Sequence, residues 1–223
     1  MTHIRKQGGF TLVEIAIVLV IIGLLLGGIL KGQEMISQAK IKNVIADLTG
    51  VSAAMYGYQD RYKALPGDDK NATRWSGSSA GDGDGIILGT YLSSTNTDES
   101  FLFWDHMRKA GFISGTGTDK PSNAVAGKIG VQTGSGTLTA GNLGTALGSG
   151  AATTTLIGSL MVCTTNLPDK IAISVDSQMD DGVGTTGTVR AAKQSQPNPS
   201  TIASVAEAYT EDGVSQYVVC KMM

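Results

Sequence analysis

The run from Phe10 to Leu30, FTLVEIAIVLVIIGLLLGGIL, constrains this chain more than any other stretch. It contains one ionisable residue, Glu14, and is followed directly by Lys31. As an α-helix such a run rises about 31 Å, close to the hydrocarbon thickness of a bilayer. The leader before it, MTHIRKQGG, is short and basic. His3, Arg5 and Lys6 assign the N-terminus to the cytoplasmic side of a membrane, with everything after Lys31 outside. A secretory signal peptide carries its small-residue cleavage site after the apolar run. Here the candidate cut lies before the run, so processing would leave the apolar segment on the mature protein. A plain anchor helix is the competing reading, and Glu14 argues against it. A charged side chain within a membrane helix is costly and normally has a partner. Cleavage between Gly9 and Phe10 would create an α-amine one helical turn before Glu14. That amine, on the same chain or a neighbour, is the natural counter-charge.

Lys6-Gln7-Gly8-Gly9 followed by Phe10-Thr11-Leu12-Val13-Glu14 closely resembles the processing site of type IV pilins and type II secretion pseudopilins. The resemblance covers about the first thirty residues. It implies that a prepilin peptidase cuts after Gly9 and that the new terminal Phe10 is N-methylated. It also implies that Glu14 pairs with a neighbouring subunit's N-terminus during assembly. The other partners it implies are further copies of this chain in a homo-polymer, an inner-membrane assembly platform with its ATPase machinery, and an outer-membrane secretin. Many members of that family carry a proline near the end of the apolar run, where this chain has Lys31. Gly27-Gly28 could supply local softness instead, since each glycine lowers helix stability by up to about 1 kcal/mol.

Beyond the apolar run, Ile41, Val44, Leu48, Val51, Met55, Tyr58 and Tyr62 recur at alternating spacings of three and four, which is one apolar helical stripe. Gly50 and Gly57 weaken it, and Pro66-Gly67 stops it. The chain therefore divides into a removable leader (1–9), an apolar half-helix (10–30), an amphipathic half-helix (31–62) and an extracytoplasmic domain (63–223). The 223-residue chain keeps enough length after the helix for one domain with its own core. The expected fold class is α+β, a long N-terminal helix packed on a small antiparallel sheet, which is also what the resemblance implies.

Within the domain, residues 63–97 are rich in turn formers, with one short strand expected over Ile86–Tyr91. A helix is expected from Thr97 or Asp98, with Arg108 and Lys109 in its last turn and Gly111 as C-cap. Phe101, Leu102, Trp104 and Met107 are expected to pack it onto the domain. Residues 114–155 are dominated by Gly, Ser, Thr and Ala, with one short strand at 128–131. Leu156–Thr164 reads as a strand. The segment from Pro168 to Met179 reads as a helix, with a strand as the alternative. Thr185–Ala191 and Val214–Met222 are further candidate strands.

Cys163 and Cys220 both lie in strand-like apolar runs. Placed outside the cytoplasm they would form a disulfide, worth about 4 kcal/mol in the chain-entropy model. A C-terminal disulfide is also frequent in type IV pilins. The alternative is two buried free thiols. Asp82 and Asp84, alternating in a glycine-rich loop, and Asp176 and Asp180 on one helical face are candidate calcium ligands, because Ca²⁺ takes six to eight oxygens from flexible loops. Their alternative role is capping turns and helices. They imply no EF-hand pattern.

Chemistry of other kinds finds little material. The formal net charge of −2 gives no electrostatic footprint for nucleic acid. His106 is the only histidine after the leader. An enzyme is not expected, and no cofactor is required. The expected function is polymerisation into a pilus for adhesion, motility or aggregation. The alternatives are a secretion pseudopilin forming a periplasmic pseudopilus and a minor pilin. The expected location is the inner membrane before assembly, then the cell surface or periplasm.

Overall fold

The computed structural model of the protein describes residues 11–134, 160–201 and 206–223. It has two compact units, Met1–Ala39 and Lys40–Met223. In chain order the elements are α1 (Leu12–Tyr62), a single 3₁₀ turn (Ala72–Arg74), α2 (Glu99–Lys109), β1 (Ile129–Thr133), β2 (Leu160–Pro168), α3 (Asp169–Met179), β3 (Val189–Lys193) and β4 (Gln216–Met222). The four strands form one antiparallel sheet in the order β1-β2-β4-β3.

In the first unit, α1 is apolar all round from Leu12 to Leu30, and its large side chains are exposed, Leu24 to 73% and Leu30 to 67%. It is the one helix among the described residues long and apolar enough to cross a membrane. A helix of this kind has no stable place in water and requires lipid or other subunits around it.

In the second unit, the stripe of α1 is buried where the spacing places it: Ile41, Val44, Leu48, Val51, Met55 and Tyr58 lie within the core, and Tyr62 packs against it half-buried. They meet Val131, Val162, Val189, Val219 and Tyr217 of the sheet, together with Ile171 and Val175 of α3. The sheet's opposite face builds a second, smaller core from Tyr91, Met161, Cys163, Ala192, Ala206, Val218 and Cys220. Alternating side chains of one strand thus serve two cores. Cys163 and Cys220 are directly opposed on β2 and β4 and form a disulfide.

Both outer strands are covered, which removes the pairing template of an open edge. Along β1, Thr133 N–H donates to the Ile87 carbonyl and the Ile87 N–H to Thr133 Oγ1. Along β3, the Ala191 N–H donates to the Gly184 carbonyl, and the Glu207 N–H to the Ala191 carbonyl.

Several boundaries differ from the sequence reading. Residues 86–91 run beside β1 but form no strand, because the Tyr91 N–H turns to the Gln132 side chain instead of a strand carbonyl. The strand expected at 185–191 begins at Val189, because the Asp180 carboxylate captures the Thr188 and Val189 N–H groups and holds the preceding residues in a turn. The start of the strand expected at 156–164, and residues 135–155 of the low-complexity stretch, lie outside the described residues; from Leu160 the strand runs on to Pro168. The earlier part of that stretch is fixed by Arg108, which donates to the carbonyls of Ser114, Gly117 and Asp119. α3 is helical, as the sequence predicts. On α2, Phe103 is fully buried, whereas Phe101 is only half-buried under the Lys120 ammonium. Gly57 is required by the core: a Cβ there would come within 2.7 Å of the Phe112 ring.

Candidate functional site

The candidate assembly motif lies at the start of α1. Gly9 and Phe10, the expected cleavage and methylation positions, lie outside the described residues. Glu14 lies one turn into the helix. Its Oε2 accepts from the Thr11 N–H at 2.8 Å and from Thr11 Oγ1 at 2.8 Å, while the Glu14 N–H donates to Thr11 Oγ1 at 3.3 Å. This is a reciprocal capping box, Thr-x-x-Glu, in which two otherwise orphaned helix N–H groups are satisfied. It directs the carboxylate back towards the N-terminus. The Thr11 nitrogen is the first backbone nitrogen of the described residues, so the Glu14 oxygen sits at the N-terminal end of α1. The sequence reading named Glu14 and passed over Thr11, although the spacing from Thr11 to Glu14 spells the box.

The acidic residues fall into two separate clusters, and neither joins Asp82 or Asp84 to Asp176 or Asp180. The first contains Asp68, Asp82, Asp84 and Glu99, with candidate ligand oxygens within 4.8 Å of one another. Asp68 is buried, and its carboxylate accepts from the N–H groups of Gly83 (2.6 Å), Asp84 (3.1 Å) and Gly85 (2.9 Å). Glu99 is buried and accepts from the N–H groups of Asp82 (3.1 Å) and Leu88 (2.9 Å). Asp82 and Asp84 are exposed and each accepts the N–H two residues on, as in Asx turns. Burial raises the pKa values of Asp68 and Glu99, and the amide contacts oppose that rise. The loop is closed tightly enough that Gly67, at φ +92°, could carry no Cβ without reaching 2.3 Å from the Glu99 carbonyl oxygen.

The second cluster, Asp176, Asp180 and Asp181, follows the same design at the end of α3. Asp176 accepts from Tyr209 Oη at 2.8 Å and from the Gly182 N–H at 3.3 Å; burial raises its pKa. Asp180 holds the amides that start β3, and Asp181 accepts from the Val183 N–H and Thr186 Oγ1. Both clusters are oxygen-only donor sets of the kind Ca²⁺ accepts. In both, however, backbone amides and hydroxyls already engage the carboxylates, so the acids account for themselves as turn builders.

Asp69, next to Asp68 in sequence, joins neither cluster. It is fully buried, accepts from Tyr58 Oη at 2.6 Å and pairs with Arg74 at 2.9 Å. His106, the only histidine after the leader, is fully buried. Its Nδ1 accepts the Gly67 N–H at 2.8 Å, and its Nε2 lies 2.8 Å from the Ser79 carbonyl. The imidazole is therefore held neutral, Nε2 carrying the proton, and burial lowers its pKa.

Residues 4–30 match the prokaryotic N-terminal methylation motif. No curated protein and no solved structure matches the chain. The match covers the leader from Ile4, with Arg5 and Lys6, then the Gly9-Phe10 junction, Glu14 and the apolar run. Past the apolar run, the same helix continues into an amphipathic part that packs on a four-stranded antiparallel sheet. The chain thus carries the signature of type IV pilins and pseudopilins on a pilin-like α+β fold.

Proposed function

We propose that the protein is a prepilin subunit that polymerises through α1 into a type IV pilus filament. The observation that carries this reading is the start of α1: an exposed helix, apolar all round, whose one acid is held at its N-terminal end behind a processing motif. Buried among neighbouring copies, the apolar surface gains about 25 cal/mol per Å² removed from water or replaces equivalent lipid contacts. Glu14 then exchanges its capping-box donors for a neighbour's terminal amine and sets the register of the fibre. Prepilin peptidase, acting between Gly9 and Phe10, supplies that amine. The inner-membrane platform and its ATPase machinery extract the subunit from the bilayer, and the outer-membrane secretin passes the fibre. Assembly needs no cofactor. A C-terminal disulfide is frequent in the type IV pilins this chain resembles, so the Cys163–Cys220 bond leans the reading towards a pilus over a pseudopilus.

Electron microscopy of sheared surface material, with mass spectrometry of the subunit, tests the reading. Fibres built from chains that begin at methylated Phe10 are expected. Correct processing without surface fibres would move the protein to a secretion pseudopilin or a minor subunit, and an uncut chain would overturn the assignment. Glu14→Ala is expected to be cleaved and membrane-bound but to yield few or no fibres. Thr11→Ala, which removes only the cap, loses about 1 kcal/mol of helix-end stability and is expected to keep assembling. Normal fibres from Glu14→Ala would refute the register role.

A further inference from the structure

Asn71-Ala72-Thr73 is the chain's one Asn-x-Ser/Thr triplet without a proline between its ends. Such a triplet is an acceptor when the asparagine amide can be reached and lies outside the cytoplasm. Here the turn separates its residues by burial. Ala72 is fully buried and anchors the turn, while Asn71 and Thr73 are both exposed. The backbone of Asn71 is fully engaged: its N–H donates to Asp69 Oδ1 at 2.8 Å, and its carbonyl accepts from the Arg74 N–H at 3.1 Å. The side chain is not. Asn71 makes no capping bond at the head of its 3₁₀ turn, and among the described residues neither its amide nor the Thr73 hydroxyl has a hydrogen-bond partner.

Other asparagines in the domain are placed differently. Asn123 donates to Thr164 Oγ1 and the Thr165 carbonyl, and Asn166 exchanges bonds with Ala126, Gln194 and Asn198. Asn198 has a hydroxyl residue two positions on but is followed by Pro199. Its Oδ1 accepts from the Lys128 N–H and Thr165 Oγ1, which locks it into the fold. A sugar on Asn198 would break those bonds. A sugar on Asn71 would break none. The base beneath Asn71 is rigid, because Asp69 ties the turn to Tyr58 of α1 and to Arg74.

We propose that Asn71 is an N-glycosylation site, modified by a membrane-bound oligosaccharyltransferase that draws on a lipid-linked pyrophosphate glycan. Asn71 Nδ2 attacks the anomeric carbon of the donor. The C–N bond forms as the C–O bond to pyrophosphate breaks, the lipid pyrophosphate leaves, and the proton from Nδ2 passes to a base of the transferase. No oxidant or reductant is involved. The inference rests on the proposed export of residues 63–223, since donor and transferase act outside the cytoplasm.

Mass spectrometry of the full-length protein from the cells that naturally make it tests both points together. The expected result is a mature chain starting at Phe10 whose peptide spanning residue 71 carries a glycan. Asn71→Gln and Thr73→Ala should each abolish the added mass, and Thr73→Ser should keep it. A chain starting at Phe10 with an unmodified Asn71 would overturn the glycan and leave the pilin reading intact. An added mass that survives Asn71→Gln would place the sugar elsewhere and overturn the assignment equally. An uncut, unmodified chain would overturn both.

Discussion

The two ends of α1 obey different rules. From Leu12 to Leu30 every face but for Glu14 is apolar and exposed; from Ile41 to Tyr58 a single stripe is buried and the other faces are largely polar. The second stretch is completed by its own chain, because strands β1 to β4 and α3 supply the apolar surface that its stripe needs. The side chains of the first stretch are exposed among the described residues. An apolar stripe specifies a partner with one face, whereas apolarity all round specifies a surrounding medium, either lipid or a bundle of like helices. Folding is therefore written into one end of the helix, and the proposed assembly into the other.

Paired leucine deletions should separate the two addresses. Leu48 is 0% exposed in the core, while Leu24 is 73% exposed. Leu48→Ala leaves a cavity and should cost about 2–5 kcal/mol. In the full chain held in detergent, that appears as a fall in the domain's melting temperature. Leu24→Ala should leave the melting temperature unchanged and reduce only fibre yield. Equal losses of melting temperature in the two variants would mean that the N-terminal stretch belongs to the folding unit, and the division would fail.

The contrast also explains what was legible in the sequence. The stripe could be read from Ile41 to Tyr62 because a three-four spacing is a property of the helix itself. The N-terminal motif could be read because the leader, Gly9, Phe10 and Glu14 are contiguous. What escaped was set by distant contacts. Phe101 and Phe103 are equally apolar, and only the packing of α2 decides that Phe103 is buried. Glu99 gives no sequence signal as a loop organiser, since it accepts the amides of Asp82 and Leu88, 17 and 11 positions earlier. Gly57 reads as a helix weakness until Phe112 is seen against it. The start of β3 was misplaced because the Asp180 carboxylate claims the amides of Thr188 and Val189, eight and nine positions on.

Acid should act on the domain that the stripe of α1 completes, with a smaller effect. His106 is buried and neutral, and its folded pKa is lowered from 6.5 chiefly by burial, with the Ser79 carbonyl, Asp105 and Asp69 opposing and Lys109 reinforcing. A base with a lowered folded pKa stabilises fully above its unfolded pKa and loses that contribution as pH falls towards the folded value. Domain stability should thus fall below about pH 6.5, by at most about 1.4 kcal/mol per pH unit for one proton. Asp68, Glu99 and Asp176 have raised pKa values, so protonating them works in the opposite direction at lower pH. The difference between wild type and His106→Gln isolates the histidine. Melting curves of the two from pH 7.5 to 5.5 should diverge as the wild type alone loses stability, and parallel curves would remove His106 from the account.

Calcium should have the smallest effect, and it tests whether the domain's acids are completed by their own chain in the way its helix stripe is. Asp68 already holds three amides and Glu99 two, and Asp82 and Asp84 each close a local turn. A bound cation stabilises the fold in proportion to the logarithm of its concentration over its dissociation constant, so a site occupied at millimolar calcium would raise the melting temperature measurably. With the amides in place, the melting curves in millimolar calcium and in chelator are expected to coincide. A rise of several degrees that Asp84→Asn abolishes would show that Asp68, Asp82, Asp84 and Glu99 need a partner from outside the chain. The domain would then share with the exposed end of α1 a dependence on something the fold does not supply.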